Sequence, residues 1–228
     1  MLDLSSETPC WKPAVDMLVR RDGLGVGLIN KYLYAVGGHD GTNTLNSAGA
    51  FNCNTQEWCM ISNMSTRRNY VGVGVLNNLL YVVGGEDCSS RQYLNSAEYY
   101  NPSLDTWTPV AEMCARRKSV SVGVLDDVLY AVGGSDESEI LISVELYRPS
   151  TGVWTRIADM YFYRQLARVV ALNGLLYVVG GNDGFGLDSA EFYNPDTNTW
   201  TMVTSSMNVA RAVARVVAID RPLHFKTY

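Results

Sequence analysis

The chain has 228 residues, 47% hydrophobic and 18% charged, so it has ample material for a core and lacks the signature of disorder. Its net charge of -5 argues against nucleic acid as the main partner, and no apolar run reaches the length that crosses a bilayer. The start, Met1-Leu2-Asp3-Leu4-Ser5-Ser6-Glu7, lacks the basic and apolar regions of a secretory signal. The five cysteines (Cys10, Cys53, Cys59, Cys88, Cys114) recur at no fixed position and form no close-spaced metal pair. They read as reduced thiols of a cytoplasmic protein.

In chain order, residues 1–17 end in Cys10-Trp11-Lys12-Pro13-Ala14-Val15-Asp16-Met17, which matches Thr106-Trp107-Thr108-Pro109-Val110-Ala111-Glu112-Met113 further on. The chain is therefore expected to open with the last strand of a repeat. Four complete units follow, about 18–64, 65–113, 114–160 and 161–207. Double glycines begin at 37, 84, 133 and 180, and a tryptophan keeps the same beat at Trp11, Trp58, Trp107, Trp154 and Trp200. Two independent markers with one period define a repeat protein.

The second unit shows the grammar. Val71-Gly72-Val73-Gly74-Val75-Leu76 predicts a strand whose glycines allow close backbone approach on one face, as an inner strand about a central axis needs. Asn77-Asn78 is a hairpin turn. Leu79-Leu80-Tyr81-Val82-Val83 is a strand buried on both faces, and Gly84-Gly85 ends it. Ser96-Ala97-Glu98-Tyr99-Tyr100 is a third strand closed by Asn101-Pro102, and Asp105–Val110 is a fourth. Four hairpin-linked strands per unit, with no helical period, predict an all-β propeller of four complete blades. Tryptophan and paired aromatics are the expected filling between blades. The tail, Arg211-Ala212-Val213-Ala214-Arg215-Val216-Val217-Ala218-Ile219, copies a first strand, so the array is expected to end in an inner strand.

Catalysis is not expected, and neither is a cofactor or metal. His39 and His224 are the two histidines, and no phosphate loop or paired-carboxylate constellation stands out. Ser47, Ser96, Ser143 and Ser189 hold one place in every unit and read as turn hydrogen-bonding residues rather than nucleophiles. Four residues after each unit's final methionine stands an arginine: Arg21, Arg68, Arg117, Arg164 and Arg211. Such recurrence predicts a structural task, a guanidinium bridging either backbone carbonyls or Glu98, Glu145 and Glu191. The first unit has Gly49 in place of that glutamate, so an arginine paired only with glutamate should be loosened there.

Binding is expected where the units disagree, because variable positions beside rigid strands carry specificity. One set follows the arginine: Asn69-Tyr70, Lys118-Ser119 and Gln165-Leu166, with Asp22-Gly23 in the first unit. The other follows each glycine pair: His39, Glu86, Ser135 and Asn182. Both should open on one face near the central pocket. Tyr70 is the strongest single candidate, an aromatic beside a pocket being typical of a hot spot.

The glycine pair, the Ser-Ala-Glu-aromatic-Tyr strand and the following tryptophan resemble the kelch repeat over nearly the whole chain, and the region from Asn173 looks like the end of kelch-like proteins 2 and 3. That resemblance implies a six-bladed propeller in proteins with N-terminal BTB and BACK domains, which recruit cullin-3 while the propeller selects a target for ubiquitination. It implies a target protein as partner, bound through a short motif, and filamentous actin as the alternative partner, with cytoplasmic and cytoskeletal location. The family's face often holds acidic motifs with arginines. Here Gln165 replaces one arginine, Glu86 an aromatic and Ser135 a histidine, so an acidic motif should bind more weakly.

Overall fold

In the computed structural model, which describes residues 2–3, 10–11, 13–213 and 216, each apolar run of the repeat becomes one strand of an antiparallel sheet. Blade 1 is Gly25–Ile29, Tyr32–Val36, Ala48–Asn52 and Glu57–Ile61. Blade 2 is Gly72–Leu76, Leu79–Val83, Ala97–Asn101 and Thr106–Val110. Blade 3 is Ser121–Leu125, Val128–Val132, Val144–Arg148 and Val153–Arg156. Blade 4 is Arg168–Leu172, Leu175–Val179, Ala190–Asn194 and Thr199–Met202. Within every blade the strands lie side by side in chain order.

Local chemistry explains the first hairpins. Asn77 and Asn78 both take positive φ, 51° and 58°, as do Asp126 and Asp127 at 50° and 59°. This is the turn whose twist matches paired strands, and Asn and Asp tolerate it.

First strands of successive blades lie against each other, and their residues line a central cavity. The glycines make this possible. A Cβ placed on Gly72 would lie 2.6 Å from Val122 Cγ2, and one on Gly74 would lie 2.7 Å from Val122 Cγ1. Blades 1 to 3 thus each receive a valine of the next in a notch that a side chain would fill.

Between blades 1 and 2, fully buried Leu80 and Val82 pack with Tyr34, Val36 and Ala48. Burying a residue of this kind contributes roughly 1.5–3 kcal/mol. Aromatic pairs bridge every joint, Tyr34–Tyr100 at 5.7 Å, Tyr81–Tyr147 at 6.1 Å and Tyr130–Tyr193 at 5.9 Å between centroids. The tryptophans add a polar stitch, since each indole N–H donates to a carbonyl of the preceding unit: Trp107 to Ser62, Trp154 to Ala111 and Trp200 to Ala158.

Two features concern the ends. Cys10–Trp11 is a strand, but its partner is Leu2–Asp3 rather than the third strand of a blade. Even so, Val15 holds the repeat's place, its carbonyl accepting from the Trp58 indole at 3.3 Å. At the other end, Gly181 N–H donates to the Arg211 carbonyl at 2.9 Å, as Gly134 does to Arg164 and Gly85 to Arg117. Most of the expected first strand 211–219, and His224, lie outside the described residues.

Candidate functional site

The recurrent arginine frames the site from below. Arg117 is fully buried and donates to the carbonyls of Gly133 at 2.7 Å and Ser143 at 2.9 Å, to Ser143 Oγ at 2.9 Å and to Glu145 Oε1 at 3.0 Å. Arg68 and Arg164 repeat this arrangement with Glu98 and Glu191. Burial pulls these guanidinium groups below their ordinary pKa while the carboxylates hold them up, and guanidinium remains charged throughout.

In blade 1, Arg21 keeps the Gly37 carbonyl and both Ser47 oxygens, each at 2.8 Å, and stays 92% shielded without a glutamate. Both alternatives for this arginine therefore operate together, and the carbonyls suffice to hold it. The serines are corrected accordingly: their hydroxyls accept from arginine across the blade rather than closing a turn.

Directly after the arginine, the chain turns over the cavity. Gly23, Tyr70, Ser119 and Leu166 take φ of 58°, 51°, 56° and 56°, a region costly for side-chain-bearing residues and found where the surroundings enforce it. Here the enforcement is a relay of backbone bonds between blades. Tyr70 N–H donates to Gly23 O at 2.8 Å, Ser119 N–H to Tyr70 O at 2.9 Å and Leu166 N–H to Ser119 O at 3.0 Å. The preceding residues pair with the second candidate set: Asp22 with His39, Asn69 with Glu86, Lys118 with Ser135, and Gln165 with Asn182. The two sets are thus one backbone collar.

The collar surrounds a mouth cavity of about 290 Å³ lined by Tyr70, Ser119, Leu166 and Val213 among others. It adjoins an axial cavity of about 450 Å³, the walls sharing Leu24, Val71, Val120 and Arg168.

Beside the mouth, Lys118 Nζ lies 2.9 Å from Glu86 Oε2 and about 5 Å above the rings of Tyr70 and Tyr93. Burial draws the Lys118 ammonium down, but Glu86 outweighs it and the pKa stands above its ordinary value. Among the described residues no group of histidines, cysteines and carboxylates could hold a metal ion.

Comparison with known proteins agrees with this geometry. The profile of the KLHDC2/KLHL20/DRC7 Kelch-repeats domain matches residues 23–223. The chain belongs to this kelch-repeat family. A solved structure titled "Structure of YjhT" is similar, with a TM-score of 0.73 at 15% identity, over 86% of this chain and 69% of that one. At that identity the likeness shows the fold alone. No curated protein sequence gave a match.

On this kelch propeller the candidates separate by position. Tyr70 is 37% exposed at the mouth, Leu166 lines the cavity, and Lys118 and Glu86 are joined. Asn69 and Ser119 are buried; Asn69 Oδ1 accepts from Tyr70 N–H at 3.0 Å and supports its turn. His39 Nδ1 accepts from Gly41 N–H, and Asn182 Oδ1 from Gly184 N–H, so both side chains brace their own loops. Gln165 and Ser135 sit half-buried in the collar.

Two residues of the kelch mouth were missed by sequence reasoning. Tyr93 reaches Lys118, beside the mouth, through a small hairpin, Glu86–Asp87 with Gln92–Tyr93. The signal was a loop of ten residues, 86–95, against eight in 39–46 and 135–142. Arg168 lines both cavities at the position held by Gly25, Gly72 and Ser121 in other blades, a substitution visible on aligning the units.

Proposed function

We propose that this chain is the target-recognition propeller of a cullin-3 RING ubiquitin-ligase adaptor, of the class of kelch-like proteins 2 and 3. In this reading it binds a short segment of a target protein at the mouth and does no chemistry itself. Kelch propellers are generally protein-binding modules. The observation that carries the reading is the collar, in which residues that differ from unit to unit are held by uniform backbone bonds around one cavity. Such a rigid scaffold with variable side chains suits recognition. In that class, engagement of cullin-3 runs through BTB and BACK domains, so the propeller's share is the choice of target, in the cytoplasm.

The test is selection from a displayed peptide library on the full chain, followed by Tyr70→Ala. Peptides captured by the parent and lost on that substitution support the mouth. Capture that ignores it removes this face from consideration. Co-sedimentation with filamentous actin, unaffected by Tyr70→Ala, would favour a cytoskeletal role instead.

A further inference from the structure

Lys118 is the one lysine of the collar, and its ammonium is already engaged. Two tyrosine rings and one carboxylate converge on Nζ, at 5.1 Å, 5.2 Å and 2.9 Å. This is how proteins hold cationic ligands, the rings through their negative faces and the carboxylate through its charge. The side chains of Lys118 and Glu86 are 24% and 14% exposed, so the cage is partly dry yet open to water.

The main chain beneath each wall of the cage is fixed by bonds that do not involve the lysine side chain. Tyr70 is set by its left-handed turn and its place in the relay. Glu86 exchanges two backbone bonds with Asn69, both 2.8 Å. Tyr93 stands opposite Glu86 in the small hairpin, and its carbonyl accepts from Arg116 at 2.7 Å. The main chain that carries the cage therefore does not depend on the lysine side chain, and Tyr70 connects the cage to the mouth cavity.

We infer that Tyr70, Tyr93 and Glu86 form a receptor for a positively charged side chain of the bound segment, a lysine, methylated lysine or arginine, with Lys118 as an internal occupant that the ligand displaces. This rests on the reading of the mouth as the peptide-binding face. It explains what Lys118 and Glu86 do together: the carboxylate occupies the ammonium that an acidic segment would seek, and the paired rings favour cations over anions. The two views of Lys118 give opposite signs. If it binds an acidic ligand, its removal weakens binding; if it plugs a cation site, its removal strengthens binding.

The test titrates the full chain and its Lys118→Ala variant with three probes, Nα-acetyl-lysine methylamide, its Nζ-trimethyl form and Nα-acetyl-glutamate methylamide, following the ring resonances of Tyr70 and Tyr93. Lys118→Ala should bind both cationic probes about 10-fold more tightly than the parent, the scale of a partly desolvated cation–ring contact. Adding Glu86→Gln to Lys118→Ala should reverse most of that gain, with a melting curve confirming that each variant folds. No gain in Lys118→Ala, or a parent that binds the glutamate probe and loses it on Lys118→Ala, overturns the inference. Library peptides lost on Tyr70→Ala but lacking any cationic residue overturn it too, while leaving the mouth reading intact. Probes that bind while library capture ignores Tyr70→Ala would instead sink the mouth reading and keep the cage.

Discussion

Blade 1 and blade 3 carry the same buried arginine in different company. Arg117 has Glu145, whose carboxylate also accepts the backbone N–H groups of Cys114 and Ala115 at 2.7 Å and 3.1 Å. Arg21 faces Gly49, and a void of about 10 Å³ lies among Leu18, Val19, Arg21 and Gly49. Carbonyls and serine are enough to seat a guanidinium; the glutamate's further task is to fasten the segment that leads into the arginine.

The largest test of this contrast is Arg117→Leu. It strands the buried Glu145 carboxylate, and should cost about 3–5 kcal/mol in urea unfolding, the range for breaking a buried pair. Arg21→Leu strands no charge and should cost less by at least about 1 kcal/mol. Equal losses would mean that the glutamate contributes nothing beyond the carbonyls.

Next comes Gly49→Glu. An added Cβ there meets Cys59 O at 3.4 Å and Trp58 Cε3 at 3.5 Å, ordinary contact distances, so the backbone admits a side chain at this place. Supplying a carboxylate to a guanidinium already desolvated should stabilise the chain by about 1–2 kcal/mol. An unchanged midpoint would show that the void is already satisfied by water.

A third test uses pH. Tyr100 and Tyr147 stack on the tryptophans of blades 2 and 3, where blade 1 has Phe51. Burial raises both phenols, and the Tyr100 hydroxyl also donates to Asp105 at 2.8 Å; Tyr81 is pushed up to about 12 by burial. Groups whose pKa is raised on folding favour the folded state fully below the unfolded value, near 10, and that stability fades as pH climbs through the folded value. Unfolding midpoints should therefore hold to about pH 10 and fall beyond it. Tyr147→Phe should blunt the decline; a decline of equal steepness would assign it to other groups.

The smallest effect concerns the left-handed turn, where blade 1 has Gly23 and blade 3 has Ser119. Ser119→Gly should relieve about 1 kcal/mol of backbone strain or less, detectable as a small rise in midpoint; Gly23→Ala, whose added Cβ would collide with Asn69 Oδ1, should lower the midpoint by more than that rise.

Blade number, strand order and the aromatic joints were legible because four copies of one pattern stand in the chain, and each copy checks the others. The collar was half legible. Asn69 and Glu86 were visible as variable positions, but their pairing across seventeen residues depends on how the blade folds back. Tyr93 escaped because its approach depends on how the longer loop of blade 2 closes, with a two-residue ladder where the other blades close theirs with a single bridge. The arginine's partners stayed open in sequence because carbonyls leave no trace there, and the serines were misread for the same reason.

The relay at the mouth has an evolutionary consequence. Its bonds join only main-chain atoms, so tyrosine, serine and leucine hold the same posture at corresponding places. Ligand preference can therefore drift one residue at a time, with the aperture keeping its dimensions while its chemistry is rewritten.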